Sequence, residues 1–577
     1  MELPPFSRRF LDSGEAVTTI GTGAIGGKAA GLRGARDFLA SGLDPRRFPG
    51  LAIGIPTLSV IATDVFDAFL RYNDLLGLAL SREPDHRIAH AFQRADLPAE
   101  IVGDLWALIR QMTKPLAVRS SSLLEDSLRH PFAGVYATKM IPNNQPGVEA
   151  RFRKLTEAIK FVYASTFFAE ARDYAVSTGR APGDEKMAVI LQEVVGCRHG
   201  PRFYPDVSGV ARSWNFYPTG AAEPAEGVVN LALGLGKTIV DGGRSWTYSP
   251  AHPRATPPYG SVRELLDQTQ TDFWAINMGA PPAYDPIAET EHLLHASLAD
   301  AEEDGTLRRL ASTYDGGSDR VVDGTAQKGP RVLNFAPLLV REDLPLNGAV
   351  KAALATCEQA TGAKVEIEFA VSLPPGGDEA RFGFLQVRPM AVSARPVDVD
   401  EAELASEVAV VASDRALGNG VIEGLCDVVY VKPDAFEPAR TRAIADEIAE
   451  LNRGLLERGR RYVLIGFGRW GSSDPWLGIP VNWSQISGAK VIVEATLPSM
   501  NVELSQGAHF FHNLISFDIP YLAVPPQAPR GIDWAAISRF ETRAETHFAR
   551  HVEASAPLRV KVDGRSRRGV VLRGATS

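Results

Sequence analysis

Two basic residues in the N-terminal third of the chain, each in its own motif, could bind phosphate. Arg119 follows the apolar run Leu116–Val118 and precedes three serines at 120–122. An arginine at the end of a buried strand, beside hydroxyl and free backbone N–H groups, can grip phosphate oxygens. Lys28 follows paired glycines at an expected helix start, where backbone N–H groups favour an anion. The alternatives are a capped helix start with a solvated arginine and a flexible helix cap with an exposed lysine.

A carboxylate and an amide further along the chain could hold a divalent cation. Alternation places Glu366 and Glu368 on one face of a predicted strand, and Gln386 and Arg388 on one face of the next. The loop at 376–379 would join the two strands as an antiparallel hairpin. Carboxylate and amide oxygens suit Mg²⁺ when phosphates complete the coordination shell. The alternative is a hairpin that only carries surface charges.

One histidine in the C-terminal part of the chain could carry a phosphoryl group. His509 follows Gly507 at an expected helix start, downstream of the apolar run Val491–Val493. Helix starts favour anions, so a phosphorylated imidazole is physically reasonable there. The alternative is a packed or surface histidine, and His512, one turn later, is a second candidate.

Apolar runs and their periodicity predict the elements that position these residues. Buried strands are expected at Leu51–Ile55, Met187–Val195, Ser208–Val210, Val463–Ile465 and Val491–Val493. Helices are expected at Thr63–Leu76, Arg151–Val176, Ala288–Leu310, Phe436–Arg458 and Asp533–Arg550, and a basic hairpin at the C-terminus. Gln192, inside the second of these strands, needs a hydrogen-bonding partner.

Five short motifs resemble the ATP-grasp nucleotide-binding domain of phosphoenolpyruvate synthase and pyruvate phosphate dikinase. They are GGK at 26–28, AVRSS at 117–121, FAG at 132–134, SGV at 208–210, and VEIEF with LQVRP at 365–389. The resemblance runs from about residue 18 to 393, and it fades between about 245 and 359. It implies ATP binding by Lys28, Arg119, Thr138, Gln192, Glu193 and Val195, Mg²⁺ binding by Glu368 and Gln386, and contact of Arg388 with the transferring phosphoryl group.

One residue departs from the family pattern inside the glycine-rich segment at 230–242. Lys237 stands where the resembling enzymes have a glutamate. A charge reversal near a metal–triphosphate site is not conservative. Two interpretations stay open: Lys237 eases anion binding, or the protein binds ATP without turning it over quickly.

The segment Gly488–Val524 resembles the swivelling phosphohistidine domain of the same enzymes. The Ile519-Pro520 pair lies at the family's distance from His509, and the motif at 473–476 is similar to that domain's entry. The resemblance implies that His509 is the catalytic histidine. The residues at 505–508 depart from the family's glycines and threonine. About fifty residues follow Gln527, fewer than the ~250 of a pyruvate-binding barrel.

The expected fold class is α+β. We expect an ATP-grasp domain at 1–394 with an inserted subdomain at about 245–359, a linker at 395–404, a β/α swivelling domain at 405–527, and a helix and hairpin at 528–577. The net charge of −8 argues against nucleic-acid binding. No apolar leader or membrane span is evident, and the three cysteines are far apart, so a cytoplasmic location is expected.

The expected function is ATP- and Mg²⁺-dependent phosphotransfer of the dikinase type, through a phosphohistidine, to an unknown acceptor that is a small molecule or a partner protein. Two other functions stay open: a nucleotide-sensing regulatory protein without turnover, and a simple kinase that releases ADP.

Overall fold

A computed structural model of the chain divides into two compact units. The first contains residues 1–214, 220–239 and 244–390, and the second contains 215–219, 240–243 and 391–577. The structure describes residues 3–9, 15–123, 125, 134–177, 180–181, 183–216, 218, 220–255, 261–376, 378–390, 397–472, 474, 476–497, 514, 519–525, 531–564 and 566–574.

The first unit mixes short strands with helices. Its strands, β1 to β18 in chain order, are Val17–Ile20, Leu51–Gly54, Leu58–Ile61, Leu116–Ser122, Thr138–Ile141, Met187–Glu193, Cys197–His199, Arg202–Tyr204, Val207–Arg212, Val228–Ala232, Trp246–Tyr248, Asp272–Asn277, Leu293–Ser297, Ser312–Asp315, Arg320–Asp323, Arg331–Val332, Val365–Ser372 and Ala380–Pro389. The helices up to residue 361, α1 to α12, are Gly26–Gly42, Thr63–Tyr72, Leu76–Ala79, Asp85–Arg94, Ala99–Gln111, Val148–Ser165, Ala169–Ser177, Lys237–Val240, Val262–Gln268, Leu298–Glu303, Ala336–Leu339 and Leu346–Thr361.

Two sheets of this unit carry the residues singled out above. One has five strands in the order β1-β3-β6-β4-β5, and the other has six in the order β11-β10-β9-β17-β18-β2. Strand β6 lies in the middle of the first sheet and is buried up to Gln192, as its unbroken apolar run requires. Smaller sheets, β13-β12-β8-β7 and β15-β14-β16, complete the unit.

Helices α1 and α12 pack beside the six-stranded sheet. Helix α1 buries Leu32 and Ala35 and contacts β18, while α12 buries Val350 and Leu354 and contacts β17. These residues recur at three- or four-residue spacing, so each helix presents one apolar face to the sheet. The sheet and both helices share one hydrophobic core.

The segment 245–359 is part of this unit's core. Strand β11 forms the edge of the six-stranded sheet, and Leu307, Leu339 and Val350 belong to the same core cluster as Val229. The expected inserted subdomain is therefore not set apart from the rest of the unit.

The long helix expected at Ala288–Leu310 is wrong. Leu293–Ser297 is strand β13, paired antiparallel with β12, and α10 begins only at Leu298. Ser297 caps that helix by accepting a hydrogen bond from the backbone N–H of Asp300. Gly305, with φ of 78°, follows α10 and precedes a short 3₁₀ turn. Strand pairing therefore overrode the apolar spacing that predicted a continuous helix.

Three other elements differ in extent from their expected bounds. Helix α2 ends at Tyr72, and the helix expected at Arg151–Val176 is divided into α6 and α7. Strand β4 continues through Ser122, because its serines pair with β6 as regular strand residues. Arg119 therefore lies in the middle of β4 and not at its end.

The second unit is built around one large sheet. Its strands, β19 to β29, are Ala409–Ser413, Arg415–Leu417, Gly420–Val431, Tyr462–Phe467, Arg469–Trp470, Gly478–Ile479, Ala489–Ala495, Tyr521–Val524, Glu541–Glu545, Ala549–Asp563 and Arg568–Leu572. Its helices, α13 to α15, are Glu401–Leu404, Thr441–Glu457 and Trp534–Ile537. The buried strands expected at Val463–Ile465 and Val491–Val493 are confirmed as parts of β22 and β25.

The strand order of this sheet brings its two ends together. The order is β19-β29-β28-β21-β22-β25-β26-β20, with β27 paired to β28. Strands β19 and β20 lie at opposite ends of that order, yet a single residue, Asp414, joins them. The Ser413 hydroxyl also donates to the carbonyl of Ala523 on β26, at 2.6 Å. The sheet must therefore curl round on itself, as in a barrel.

The helix expected at Asp533–Arg550 is wrong beyond its first turn. Helix α15 covers only Trp534–Ile537, and β27 and the start of β28 follow it. Charged residues alternate there and form ion pairs between the strands, such as Arg543 with Glu553 at 2.6 Å. The expected C-terminal hairpin is confirmed as β28 and β29.

The residues expected to form the phosphohistidine site, His509 and His512 with 505–508, lie outside the described residues. The Ile519-Pro520 pair directly precedes β26. Within the described ranges, no helix is both long and apolar enough to cross a membrane.

Candidate nucleotide site

The start of helix α1 is fixed against strand β4. Gly26 has φ of 75°, and a Cβ at this position would lie 1.8 Å from the carbonyl oxygen of Ser121. The Ser121 hydroxyl donates to the carbonyl of Ile25 at 2.8 Å and accepts from the backbone N–H of Ala29 at 3.0 Å. The glycine is needed because only a residue without a side chain allows this approach. Lys28, in the first turn of α1, is thereby held next to β4.

Lys28 forms an ion pair with a buried carboxylate. Its Nζ lies 2.7 Å from Oε1 of Glu125 and 3.2 Å from the hydroxyl of Ser120. The Glu125 side chain is fully buried, and its Oε2 accepts from the backbone N–H of Ser122 at 2.8 Å. The loop after β4 therefore supplies the counter-charge that holds the ammonium group in position.

Arg119 joins the five-stranded sheet to the hairpin of β17 and β18. Its guanidinium donates to Oε1 of Gln386 at 2.8 Å, to the carbonyl of Leu385 at 3.0 Å and to Oε1 of Gln192 at 3.2 Å. It also forms an ion pair with Glu368 at 3.5 Å. The pairing of β17 with β18 is irregular at one point. Glu368 is opposite Gln386 but Phe369 is opposite Phe384, so the register skips Leu385. This irregularity accompanies the contact between the Leu385 carbonyl and the arginine.

The expected metal ligands form a cross-strand pair. Glu368 lies directly opposite Gln386 in the register of β17 and β18, which confirms the predicted hairpin. Among the described residues, no group of three or more histidines, cysteines and acids could hold a metal ion. One carboxylate and one amide oxygen fit Mg²⁺, which is often bound by one or two carboxylates together with substrate phosphates.

Arg388 lies one cross-strand pair further along the same hairpin. It is opposite Glu366 and is almost fully buried, with its Nε donating to Oε1 of Glu366 at 2.6 Å. Arg212 on β9 donates to the other oxygen of the same carboxylate at 2.5 Å. The residue expected to contact the transferring phosphoryl group is therefore engaged with a buried carboxylate in this structure.

The residues expected to bind the nucleotide base lie at the end of β6. Gln192 is buried, and its Nε2 has no hydrogen-bond partner among the described residues. Glu193, the last residue of β6, forms an ion pair with Lys114 at 3.3 Å. Thr138, also expected to bind ATP, lies instead on β5, directly opposite Arg119 on β4.

A cleft of about 650 Å³ opens beside this strand end. Its volume is within the range of roughly 300–1,000 Å³ that is typical of small-molecule pockets. Apolar and charged groups share its lining, which includes Pro56, Lys114, Glu193, Val195, Arg381 and Phe382. Glu193 and Val195, both expected near the base, therefore line a cavity of suitable size.

Sequence reasoning missed the roles of Glu125 and Arg212. Glu125 stands near the three serines, and a carboxylate following a strand that bears an arginine could have suggested a counter-ion. Arg212 is a charged residue at the end of the otherwise uncharged, buried strand Val207–Arg212. Because buried charges need partners, Arg212 could have been matched with an acid on a neighbouring strand.

Arg119 contacts the carboxylate–amide pair, and Lys28 is hydrogen-bonded to Ser120, the residue after Arg119 on β4; cations and metal ligands in such an arrangement suit nucleotide phosphates. The sheets and helices of the first unit are consistent with the ATP-grasp fold that the motifs imply. The family model for the pyruvate phosphate dikinase AMP/ATP-binding domain matches residues 22–408, which is more than half of the chain. The chain belongs to this family, which supports ATP as ligand and phosphotransfer as the class of chemistry. A search of the curated proteins gave no match.

Proposed function

We propose that the chain is an ATP- and Mg²⁺-dependent phosphotransferase of the dikinase type. The observation that carries this proposal is the meeting of Arg119 with Gln192, Glu368 and Gln386, which come from two sheets. Lys28, held in the first turn of α1, completes the set of residues that the family motifs assign to the triphosphate. The phosphate acceptor is a small molecule or a partner protein.

The residues of this set have separate roles in the proposed reaction. Lys28 and Arg119 neutralise and orient the triphosphate, because phosphoryl transfer depends mainly on positioning and charge stabilisation. Glu368 and Gln386 hold Mg²⁺, which supplies further neutralisation of the phosphate charge. Gln192, whose Nε2 has no acceptor among the described residues, would donate to a polar group of the ligand, and Glu193 and Val195 border the cleft for the base.

His509 is proposed as the phosphocarrier on the basis of sequence. A nitrogen of its imidazole would form a bond to the β-phosphorus while the bond from that phosphorus to the oxygen retained by AMP breaks. Water would then remove the outer phosphoryl group as inorganic phosphate, leaving one phosphoryl group on the histidine. The support for this role is the spacing from His509 to the Ile519-Pro520 pair.

Nucleotide product analysis tests the reaction type. The purified protein is incubated with ATP and Mg²⁺, with and without cell extract as a source of acceptor. AMP and phosphate are expected. ADP would indicate a simple kinase. The absence of any product would favour a nucleotide sensor, an interpretation that Lys237, which stands in place of the family's glutamate, also supports.

ATP labelled at the β-phosphate tests the carrier. Label is expected on the protein, stable in base and lost in acid, as phosphorylated imidazole requires. His509→Ala should abolish the label, whereas the matched variant His512→Ala should retain it. Equal labelling of the parent and His509→Ala would remove His509 from the mechanism.

A further inference from the structure

A buried ion-pair cluster lies beside the carboxylate–amide pair. Arg212, Glu366 and Arg388 are directly opposite one another on the adjacent strands β9, β17 and β18. Their relative exposures are 2%, 1% and 3%, respectively. Arg212 uses Oε2 of the carboxylate and Arg388 uses Oε1, so each guanidinium holds its own oxygen.

Two guanidinium groups share this one carboxylate. Nη1 of Arg212 is buried and has no hydrogen-bond partner among the described residues. Burial and the charge of Arg388 both lower the pKa of Arg212, while Glu366 opposes that change. A guanidinium N–H that is buried without an acceptor costs free energy, so this position of Arg212 is costly.

The cluster is close enough to Glu368 and Gln386 for one bound phosphate group to lie beside both. Glu366 and Glu368 are two residues apart on β17, as are Arg388 and Gln386 on β18, so the two cross-strand pairs lie on one face. Two residues along a strand correspond to roughly 7 Å, which an arginine side chain can span by changing rotamer. A phosphate near Glu368 and Gln386 would therefore be within reach of Arg388.

We propose that Arg212 is a positioning residue that allows Arg388 to leave Glu366 and bind a nucleotide phosphate. This inference rests on the proposed function. If Arg388 were the only partner of Glu366, its departure would leave a buried carboxylate without a counter-charge, which is strongly unfavourable. Arg212 keeps that carboxylate paired throughout, so Arg388 is free to exchange a carboxylate for a phosphate.

Calorimetric titration with ATP and with AMP, both in the presence of Mg²⁺, tests this exchange. Arg212→Met should weaken ATP binding by about tenfold or more, the effect of losing one charge-assisted phosphate contact. AMP binding should change little, because Arg388 is assigned to the transferring phosphoryl group. The double variant Arg212→Met/Glu366→Gln should recover most of the ATP affinity, because Arg388 is then no longer held by a charged partner.

Two further variants separate this role from a purely structural one. Glu366→Gln alone should bind ATP at least as tightly as the parent and should show a larger rise in melting temperature on ATP addition. This variant gives a result even if Arg212→Met does not fold. The matched control is Arg202→Met, which removes an arginine that is paired with Asp300 and Asp304 in a different sheet. Its ATP affinity should equal that of the parent.

The outcomes distinguish this inference from the proposed function. A parent protein that binds no ATP overturns both. If the parent binds ATP and Arg388→Ala weakens that binding, but Arg212→Met does not, the proposed site stands and the role of Arg212 is refuted. Loss of affinity in Arg212→Met without recovery in the double variant also refutes it, since the defect would then not depend on the charge of Glu366.

Discussion

Lys28 has a structural role and a proposed binding role, and paired substitutions can separate them. Its ammonium group lies 2.7 Å from Glu125, and the side chains of the pair are 11% and 0% exposed. Removing one partner of a buried ion pair typically costs about 3–5 kcal/mol, because the remaining charge is left uncompensated. Glu125 keeps hydrogen bonds from the Ser120 hydroxyl and the backbone N–H of Ser122. We therefore expect Lys28→Met to cost about 3 kcal/mol, the lower end of that range.

Neutralising both partners should restore most of the lost stability. In Lys28→Met/Glu125→Gln no buried charge is left alone. The amide oxygen can still accept from the backbone N–H of Ser122, and the amide N–H can donate to the Ser120 hydroxyl. We expect the free energy of unfolding to return to within about 1 kcal/mol of the parent. ATP affinity should nevertheless stay about tenfold or more below that of the parent, because the cationic phosphate contact is still missing.

Urea denaturation gives the stability of each variant, and titration calorimetry with ATP gives its affinity. Glu125→Gln alone is the matched control, since it retains Lys28 for the nucleotide. Parent-like stability of Lys28→Met would show that the ion pair contributes nothing. Parent-like ATP affinity of the stable double variant would show that Lys28 does not contact the phosphates.

Three other substitutions test separate parts of the structure. Arg119→Ala should reduce ATP affinity by about tenfold or more, because it removes a phosphate contact and the link to Gln386. Calorimetry measures this affinity, and an unchanged value would contradict the site assignment. Glu368→Gln should lower activity across a magnesium titration while the melting temperature stays close to that of the parent, and parent-like activity would exclude this residue as a metal ligand. Glu494, buried on β25 and hydrogen-bonded by the Tyr521 hydroxyl, has a pKa raised to about 7 by burial. Because the folded state favours its protonated form, the stability of the protein should fall as pH rises from about 4.5 to about 7. Glu494→Gln should therefore stabilise the protein at pH 8, by on the order of 2–3 kcal/mol, but not at pH 4.5. Equal pH profiles of the parent and this variant in thermal melts would refute this.

The sequence was sufficient to predict the elements that bear the site, because their patterns are local. Unbroken apolar runs predicted β6, β22 and β25, and alternation predicted the hairpin of β17 and β18. The register that places Glu368 opposite Gln386 came from the structure. The two glycines before Lys28 and the arginine–serine motif were compatible with a phosphate site, and their resemblance to the family's motifs turned that possibility into a prediction. The match of the family model to residues 22–408 confirms the resemblance that these motifs carried.

Strand pairing and burial decided what local patterns could not. Strands replaced part of the helices expected at Ala288–Leu310 and Asp533–Arg550, because pairing of β13 with β12 and of β27 with β28 supplied hydrogen bonds that helical periodicity does not reveal. The segment 245–359 joined the core of the first unit for the same reason.

The partners of the cations were also decided by tertiary structure. Glu125 neutralises Lys28 across 97 residues, and Arg212 meets Glu366 across 154. Such distant pairs leave no periodic signal in the sequence. They are determined by which strands become neighbours and by the cost of burying a charge without a partner. The sequence by itself thus determined which side chains could bind phosphate, and only the folded structure determined which carboxylates hold them in place.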